Sequence, residues 1–543
     1  MHETYDYVVV GAGSAGCAVA ARLSEDDDAR VAVVEAGPPS SGRLFEIPGL
    51  FSRQLKSFYD WDFETDPEPE LNGRRKYLPR GRVVGGTSAM NTMLYVRGNR
   101  ADYDGWAQLG ATGWSYDEVL PFFIASEDNE RGADEFHGVG GSLAVSDSRS
   151  VHPLLDDWVT AAQEAGLPAT PDFNGAQQEG VGIYQVTQRS GRRCSSARAF
   201  LEPALQRPNL YLLHSTLALR IVWDGARAVA LQVDHDGQAR TIHVSGELVL
   251  CAGAYQSPHL LLLSGVGPAE EISGFGVEPK LDLPGVGHNL QDHAGALLAY
   301  SSRTDRVIRG STAAAEAELL ETGYGPMTWT EVGGFVRSRV ELPAPDLQFH
   351  AAVGLSIDEG LHPATEFGIS FGPYVARPAS RGVLRLRTAE PYSKPRIQHN
   401  FLTEETDRER MRDGIRIAME IGRQPALAKH LADPRSDAHR GLIPADDSDA
   451  AIDEYMRRAT FAFWHPCGTC SIGDVVNPEL RVQGLDNVRV ADASVMPRLI
   501  TGNTNAPSIM IGERAGAFIS GRGRRSVRVG PDEAAQQGVS YRP

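Results

Sequence analysis

Short apolar runs closed by glycine set the pattern of this chain. Residues 7–10 (YVVV) are continuously apolar, which suits a parallel strand buried on both faces, and the run stops at Gly11-Ala12-Gly13-Ser14-Ala15-Gly16. Residues 17–23, rich in alanine and valine, read as a helix, and residues 31–34 (VAVV) as a second buried strand ending at Glu35-Ala36-Gly37. Residues 247–252 (ELVLCA) form another run of this kind, stopped by Gly253. Beyond residue 296 the pattern changes. Residues 347–353, 367–371 and 383–386 read as strands of a different, antiparallel sheet. Met411, Ile415, Met419 and Gly422 recur at helical spacing behind the candidate cap Thr403. Residues 446–459 place acids first and Arg457-Arg458 last, the charge order a helix dipole favours. Residues 488–491 predict a short strand and 509–519 a helix, while the tail after Gly521 has no periodic apolar positions. The fold class expected is α/β: a Rossmann-type nucleotide-binding domain with a second α+β domain on an antiparallel sheet.

Bulk properties narrow this little. The 543 residues are 41% hydrophobic and 23% charged, as in ordinary globular protein, and the length implies more than one folding unit. A net charge of -17 argues against nucleic acid, whose phosphates need a basic surface. The opening MHETYDYVVVGAG has no basic stretch before its apolar run, and the run is too short to span a bilayer, so neither a signal peptide nor a membrane span is expected. Cys17, Cys194, Cys251, Cys467 and Cys470 are too few and too scattered for a disulfide framework, and the expected setting is the reduced cytoplasm.

The first glycine cluster carries chemistry. Gly11 permits a tight turn, Gly13 lets backbone approach a pyrophosphate, and Gly16 allows close helix–strand packing. The helix that follows presents unpaired N–H groups to phosphate. Glu35, at the end of the second strand, can accept hydrogen bonds from both ribose hydroxyls, and its charge disfavours the 2′-phosphate of NADP. This much admits NAD as readily as FAD.

Two further segments decide between them. Gly81-Arg-Val-Val84-Gly85-Gly86-Thr87-Ser88-Ala-Met90-Asn91, continuing to Tyr95, Gly98 and Asp104, is the first. Gly253-Ala-Tyr-Gln-Ser-Pro-His-Leu-Leu-Leu-Leu-Ser-Gly-Val-Gly267 is the second. Both resemble the signature patterns of the glucose–methanol–choline (GMC) oxidoreductases, and the resemblance runs from about residue 5 to 520. It implies FAD as cofactor. It also implies a discontinuous FAD-binding domain over residues 1–150, 192–296 and 462–521, and a substrate domain over 151–191 and 297–461, leaving 522–543 as a tail. In such proteins Gly85, Gly86, Thr87 and Ser88 line the pyrophosphate, Val84 is a further cofactor contact, and Asn91, Thr92, Met93 and Leu94 pass beside the isoalloxazine. Ser14, Ala15, Ala36, Ala218, Asp492, Ala493, Asn503 and Thr504 complete the implied cofactor contacts. Some members attach the flavin through a histidine where this chain has Met90, so noncovalent FAD is expected.

The resemblance also supplies a catalytic pair. Phe463-Trp464-His465-Pro466-Cys467-Gly468-Thr469-Cys470 aligns His465 with the family's base, and Gly502-Asn503-Thr504-Asn505-Ala506-Pro507 aligns Asn505 with its partner. Oxidising an alcohol through flavin moves a hydride to N5 and needs an acceptor for the hydroxyl proton, a role imidazole suits. Trp464 and Phe463 are expected in the substrate pocket, and Cys467 and Cys470 are read as incidental, without metal. His293 and His399 are expected to be structural, and Glu331 to be a surface or ion-paired group, with a place in the pocket as the alternative. Choline-oxidising relatives carry a glutamate two residues after the Gln-Asp-His segment, where this chain has Gly295, which argues against choline. The expectation is oxidation of a primary aryl or alkyl alcohol, with oxygen or a quinone-like carrier as electron acceptor. Choline dehydrogenase-like activity, hydroxynitrile lysis and light-driven fatty acid decarboxylation remain as alternatives.

Overall fold

The computed structural model describes residues 3–303, 312–328, 331–356, 361 and 367–521, so the expected tail lies outside the described residues. The glycine-closed runs fold as their pattern predicts. Strand Glu3–Val10 lies inside a seven-stranded sheet between Val31–Val34 and Gln238–Leu250, parallel to both. Leu210–Leu213 extends the sheet past Val31–Val34, and Val488–Val490 pairs with the end of Gln238–Leu250, again parallel. The start of that long strand instead pairs antiparallel with Arg227–His235, which in turn meets Thr216–Asp224. Val8, Val9, Val31, Ala32, Val33, Leu248 and Val249 have no exposed surface, as parallel strands covered on both faces require.

Helix Ser14–Leu23 follows the glycine turn, and the C-terminal helix Asn505–Ser520 lies against it. Gly512 makes that approach possible, since a Cβ there would fall 2.4 Å from the Ala15 carbonyl oxygen. An Arg22–Glu513 ion pair at 2.5 Å fastens the same two helices.

The second sheet is antiparallel and also has seven strands. Its order is Phe461–Ala462, Ala294–Gly295, Gly368–Val375, Leu347–Val353, Val332–Val336 and Gly180–Ile183, with Leu298–Ser301 pairing beside Gly368–Val375. Residues 347–353 and 367–371 therefore fall in one antiparallel sheet as expected, but 383–386 do not join it. Val383–Arg385 forms a ribbon with Arg396–Gln398, because Leu384 N–H is taken by Gly287 O and Gly382 pairs with Leu290. Helix Glu405–Arg423 packs Met411 and Ile415 inward but starts after Glu404. Thr403 does not cap it, because its hydroxyl is spent on Asn400 O at 3.0 Å. Helix Asp449–Ala459 is capped by Ser448.

Candidate active site

Between the two sheets the glycines hold backbone against backbone. Gly11 has φ +102°, and a Cβ there would lie 2.6 Å from Cys251 O. One on Gly16 would lie 1.9 Å from Gly11 O, so neither position accepts a side chain. Gly86, at φ +53°, brings the second glycine loop so near that its Cβ would be 2.7 Å from Gly13 Cα. Gly85 N–H donates to Ala12 O at 2.7 Å and Val84 N–H to Pro38 O at 2.9 Å, tying that loop to the first. Gly13 differs: a Cβ there would meet only Cys251 O, at 3.9 Å.

A cavity of about 550 Å³ opens at this crossing. Gly11, Gly13, Ser14, Ala15, Glu35, Ala36 and Ala218 line it, as do Gly86, Thr87, Asn91, Thr92, Met93 and Leu94. Phe463, Trp464, His465, Asp492, Ala493, Asn503, Thr504 and Asn505 complete the expected lining, while Gly16, Val84 and Gly85 stand behind it. The helices beginning at Ser14 and Asn505 both start on this wall, and Ser14 Oγ donates to Asn505 Oδ1 at 2.8 Å. Their free N–H groups favour an anionic ligand. Glu35 is buried, accepts N–H bonds from Ala12 (2.9 Å) and Gly37 (2.8 Å), and is pushed up to about 7 by desolvation. Asp492 accepts from Gly253 N–H at 2.8 Å and Ser257 Oγ at 2.5 Å, which pins the start of helix Gly253–Leu263.

His465 stands on a strained turn. Trp464 has φ +64°, and Met93 on the same cavity has φ +66°, conformations that cost a non-glycine residue about 1–3 kcal/mol. The Arg80 guanidinium on Trp464 O, the Trp464 indole N–H on Tyr77 O (3.3 Å) and the His465 N–H on Asp292 Oδ1 (2.8 Å) hold the turn in place. His465 Nε2 lies 3.1 Å from Asn503 Nδ2, and the Asn503 Oδ1 accepts from Gln348 Nε2 at 3.1 Å. The expected pairing of His465 with Asn505 is therefore corrected to Asn503. Asn505 is the first residue of its helix and is turned to Ser14, whereas Asn503 precedes the helix in a loop facing strand Leu347–Val353. Burial, with His293, His350 and Arg80 nearby, lowers the His465 pKa well below the usual imidazole value, so the ring is neutral.

Known proteins match this chain over most of its length. Two models described as GMC oxidoreductase match residues 5–295 and 378–512. The chain belongs to the GMC oxidoreductase family. It is 39% identical to human mitochondrial choline dehydrogenase, covering 96% of this chain and 90% of that one. It is likewise 39% identical to an oxygen-dependent choline dehydrogenase of Brucella anthropi, over 95% and 96% of the two chains. The crystal structure of pyridoxine 4-oxidase from Mesorbium loti superposes with a TM-score of 0.84 at 31% identity, covering 94% of this chain and 98% of that chain.

As a GMC oxidoreductase the protein is FAD-dependent and acts on CH–OH donors. Its residues fit that cofactor. A Cβ at Gly13 or at Gly253 (φ +83°, nothing within 4 Å) would stand in space that the bare backbone leaves to a diphosphate.

The substrate side of the site holds groups that motif reading did not place. Successive residues of Leu347–Val353 point to opposite faces, which puts Gln348, His350 and Ala352 toward the site and Leu347, Phe349 and Ala351 into the core. Glu331 is buried on the cavity wall, hydrogen-bonded through Oε2 to His350 Nδ1 at 2.5 Å. The alternation of that strand was the available signal for His350; nothing in the sequence tied it to residue 331. At residue 295 a Cβ would fall 2.1 Å from the Phe463 ring, so Phe463 fills the space a side chain there would take. Cys467 and Cys470 are buried thiols whose pKa values burial raises. His399 is buried, with Nε2 2.9 Å from the Tyr255 hydroxyl. Among the described residues no group of three or more metal-ligating side chains occurs, and no helix is long and apolar enough to cross a membrane.

Proposed function

We propose that this GMC oxidoreductase oxidises a primary aryl or alkyl alcohol to the aldehyde, with neutral His465 taking the hydroxyl proton. The observation that carries the proposal is the His465 Nε2–Asn503 Nδ2 pair, 3.1 Å apart on the cavity wall. Bound FAD supplies the hydride acceptor. An alcohol oxygen that displaces this direct contact and bridges the two nitrogens gives its proton to Nε2, and the amide N–H holds the negative charge that develops. Asn505 acts on the cofactor side, through Ser14. Met90 lines the cavity and has no group that can bond the flavin, so FAD is held noncovalently. Acid precipitation then releases flavin into the supernatant, and yellow protein in the pellet contradicts this.

An uncharged alcohol is the first reading because the carboxylate of the choline-oxidising pattern is missing at Gly295. The aromatic rings and Glu331 on the cavity wall are groups that also suit a quaternary ammonium. Phe463 packs on Tyr374 (centroids 4.3 Å apart) and Phe461 (4.8 Å), giving an aromatic wall where the choline-oxidising pattern has a carboxylate. The choline dehydrogenases among its relatives keep choline as the second reading. Anaerobic mixing of the holoenzyme with benzyl-type alcohols, alkyl alcohols and choline separates the two. Faster bleaching of the flavin band by an aryl or alkyl alcohol supports the proposal, and fastest bleaching by choline overturns the substrate. Turnover of a cyanohydrin, or light-dependent decarboxylation of a fatty acid, without bleaching by any alcohol overturns oxidation itself. Peroxide released on admitting air marks oxygen as the acceptor; reoxidation only by a quinone marks a carrier.

A further inference from the structure

His293 has no exposed surface, and both of its ring nitrogens are engaged. Nε2 lies 3.0 Å from Ala376 O and 3.1 Å from Ile500 O. Carbonyl oxygens only accept, so Nε2 carries the hydrogen. Burial lowers the His293 pKa to about 3, which leaves the ring neutral and Nδ1 bare. That bare Nδ1 stands 2.9 Å from Nδ1 of His465, so the hydrogen between the rings belongs to His465.

The other side of His465 is set in the same way. Gln348 donates to Asn503 Oδ1 at 3.1 Å, which turns the Asn503 amide so that its N–H group faces His465 Nε2. In the free site the Nε2 lone pair accepts that N–H, and an alcohol hydroxyl delivers its proton there by taking the place of the amide. Asp292 steadies the arrangement by accepting the backbone N–H groups of His293 (2.7 Å) and His465 (2.8 Å). His293 also stacks on Tyr374, with ring centroids 4.9 Å apart, so its plane is not free to turn.

We infer that His293 is a positioning residue that holds His465 as the Nδ1–H tautomer, with Nε2 presented to the alcohol hydroxyl. This rests on His465 being the base. The hydrogen inventory runs in one direction, from two backbone carbonyls through His293 to His465. Without it, only the Asn503 N–H biases the ring, and once substrate takes the place of that contact the fraction protonated on Nε2 cannot take a proton from substrate.

The test uses the holoenzyme and has two readouts. Nitrogen-15 NMR of histidine-labelled enzyme, with the His465 signals assigned through His465→Gln, reads the tautomer directly. Wild type is expected as Nδ1–H; Nε2–H in wild type overturns the inference. Anaerobic flavin reduction is then compared in wild type, His293→Phe and His293→Asn. Phenylalanine keeps the stack on Tyr374 and removes the acceptor; asparagine keeps a carbonyl that can accept. His293→Phe is expected to slow reduction at least about tenfold at saturating alcohol, with apparent substrate affinity little changed, and His293→Asn to recover part of that. His293→Phe within about twofold of wild type, beside an inactive His465→Ala, overturns the positioning role and leaves the base intact. A near-normal His465→Ala overturns the base reading itself. Should His293→Phe fail to hold flavin, the wild-type NMR still decides.

Discussion

The two walls of the cavity are built from different material. On the nucleotide side the contacts are backbone: Gly11 against Cys251, Gly16 against Gly11, Gly86 against Gly13, and two helix N-termini at Ser14 and Asn505. On the substrate side they are side chains from segments far apart in the chain, namely His293, Glu331, Gln348, His350, His465 and Asn503. A backbone site depends on space, so a single methyl group can close it. A side-chain site depends on which hydrogen sits where, so a variant can keep its shape and lose its chemistry.

Adding bulk at Gly13 tests that contrast with the largest effect. Gly13→Val has room to fold, since only Cys251 O stands near the new Cβ, but the side chain fills the diphosphate space. It is expected to purify with wild-type circular dichroism and no flavin absorbance. A yellow Gly13→Val would break the claim that backbone grips the cofactor.

Asn503 and Asn505 sharpen the same comparison, because a single residue separates them and they face opposite walls. Asn503→Ala is expected to slow flavin reduction about 10²–10³-fold with full flavin content, as loss of a charge-stabilising donor does. Asn505→Ala is expected to reduce near normally while losing FAD more readily on dilution, read by flavin fluorescence. The reverse order would return Asn505 to the catalytic side.

The smallest effect expected is on pH dependence. Burial lowers the His465 pKa, and for the proposed base the neutral ring is the active form. Activity is therefore lost only as pH falls through a value below 6.5. Asp292, pushed up to about 7 by burial, titrates beside it and can imprint its own limb on the profile. Asp292→Asn keeps an oxygen for both backbone N–H groups and removes that titration. In this variant kcat/KM is expected to stay flat from neutral pH to below 6.5. An acid limb at or above 6.5 that persists in Asp292→Asn contradicts a neutral His465.

The same division explains what could be read from the sequence. Strand, glycine turn, helix and Glu35 are consecutive, and each glycine answers to a local backbone need, so the nucleotide side was legible. The substrate side forms by long-range pairing. Residue 348 meets 503 only because Leu347–Val353 lies inside the antiparallel sheet, and residue 293 meets 465 through the bridge of Gln291 with Cys467. That is why His465 could be picked out by resemblance while its partner was placed two residues too far along. His293, treated as structural, turned out to touch the candidate base. Residues 383–386 misled for the same reason: their apolar pattern fits a strand, but their partners are Arg396–Gln398.

The proposed role of His465 is to accept the hydroxyl proton. It is tested most directly by anaerobic stopped-flow mixing of an oxidisable alcohol with wild type and with His465→Ala, both showing the full oxidised flavin spectrum. Bleaching of the flavin band is expected to slow about 10²–10⁴-fold in His465→Ala. Bleaching at a near wild-type rate in that variant would contradict it.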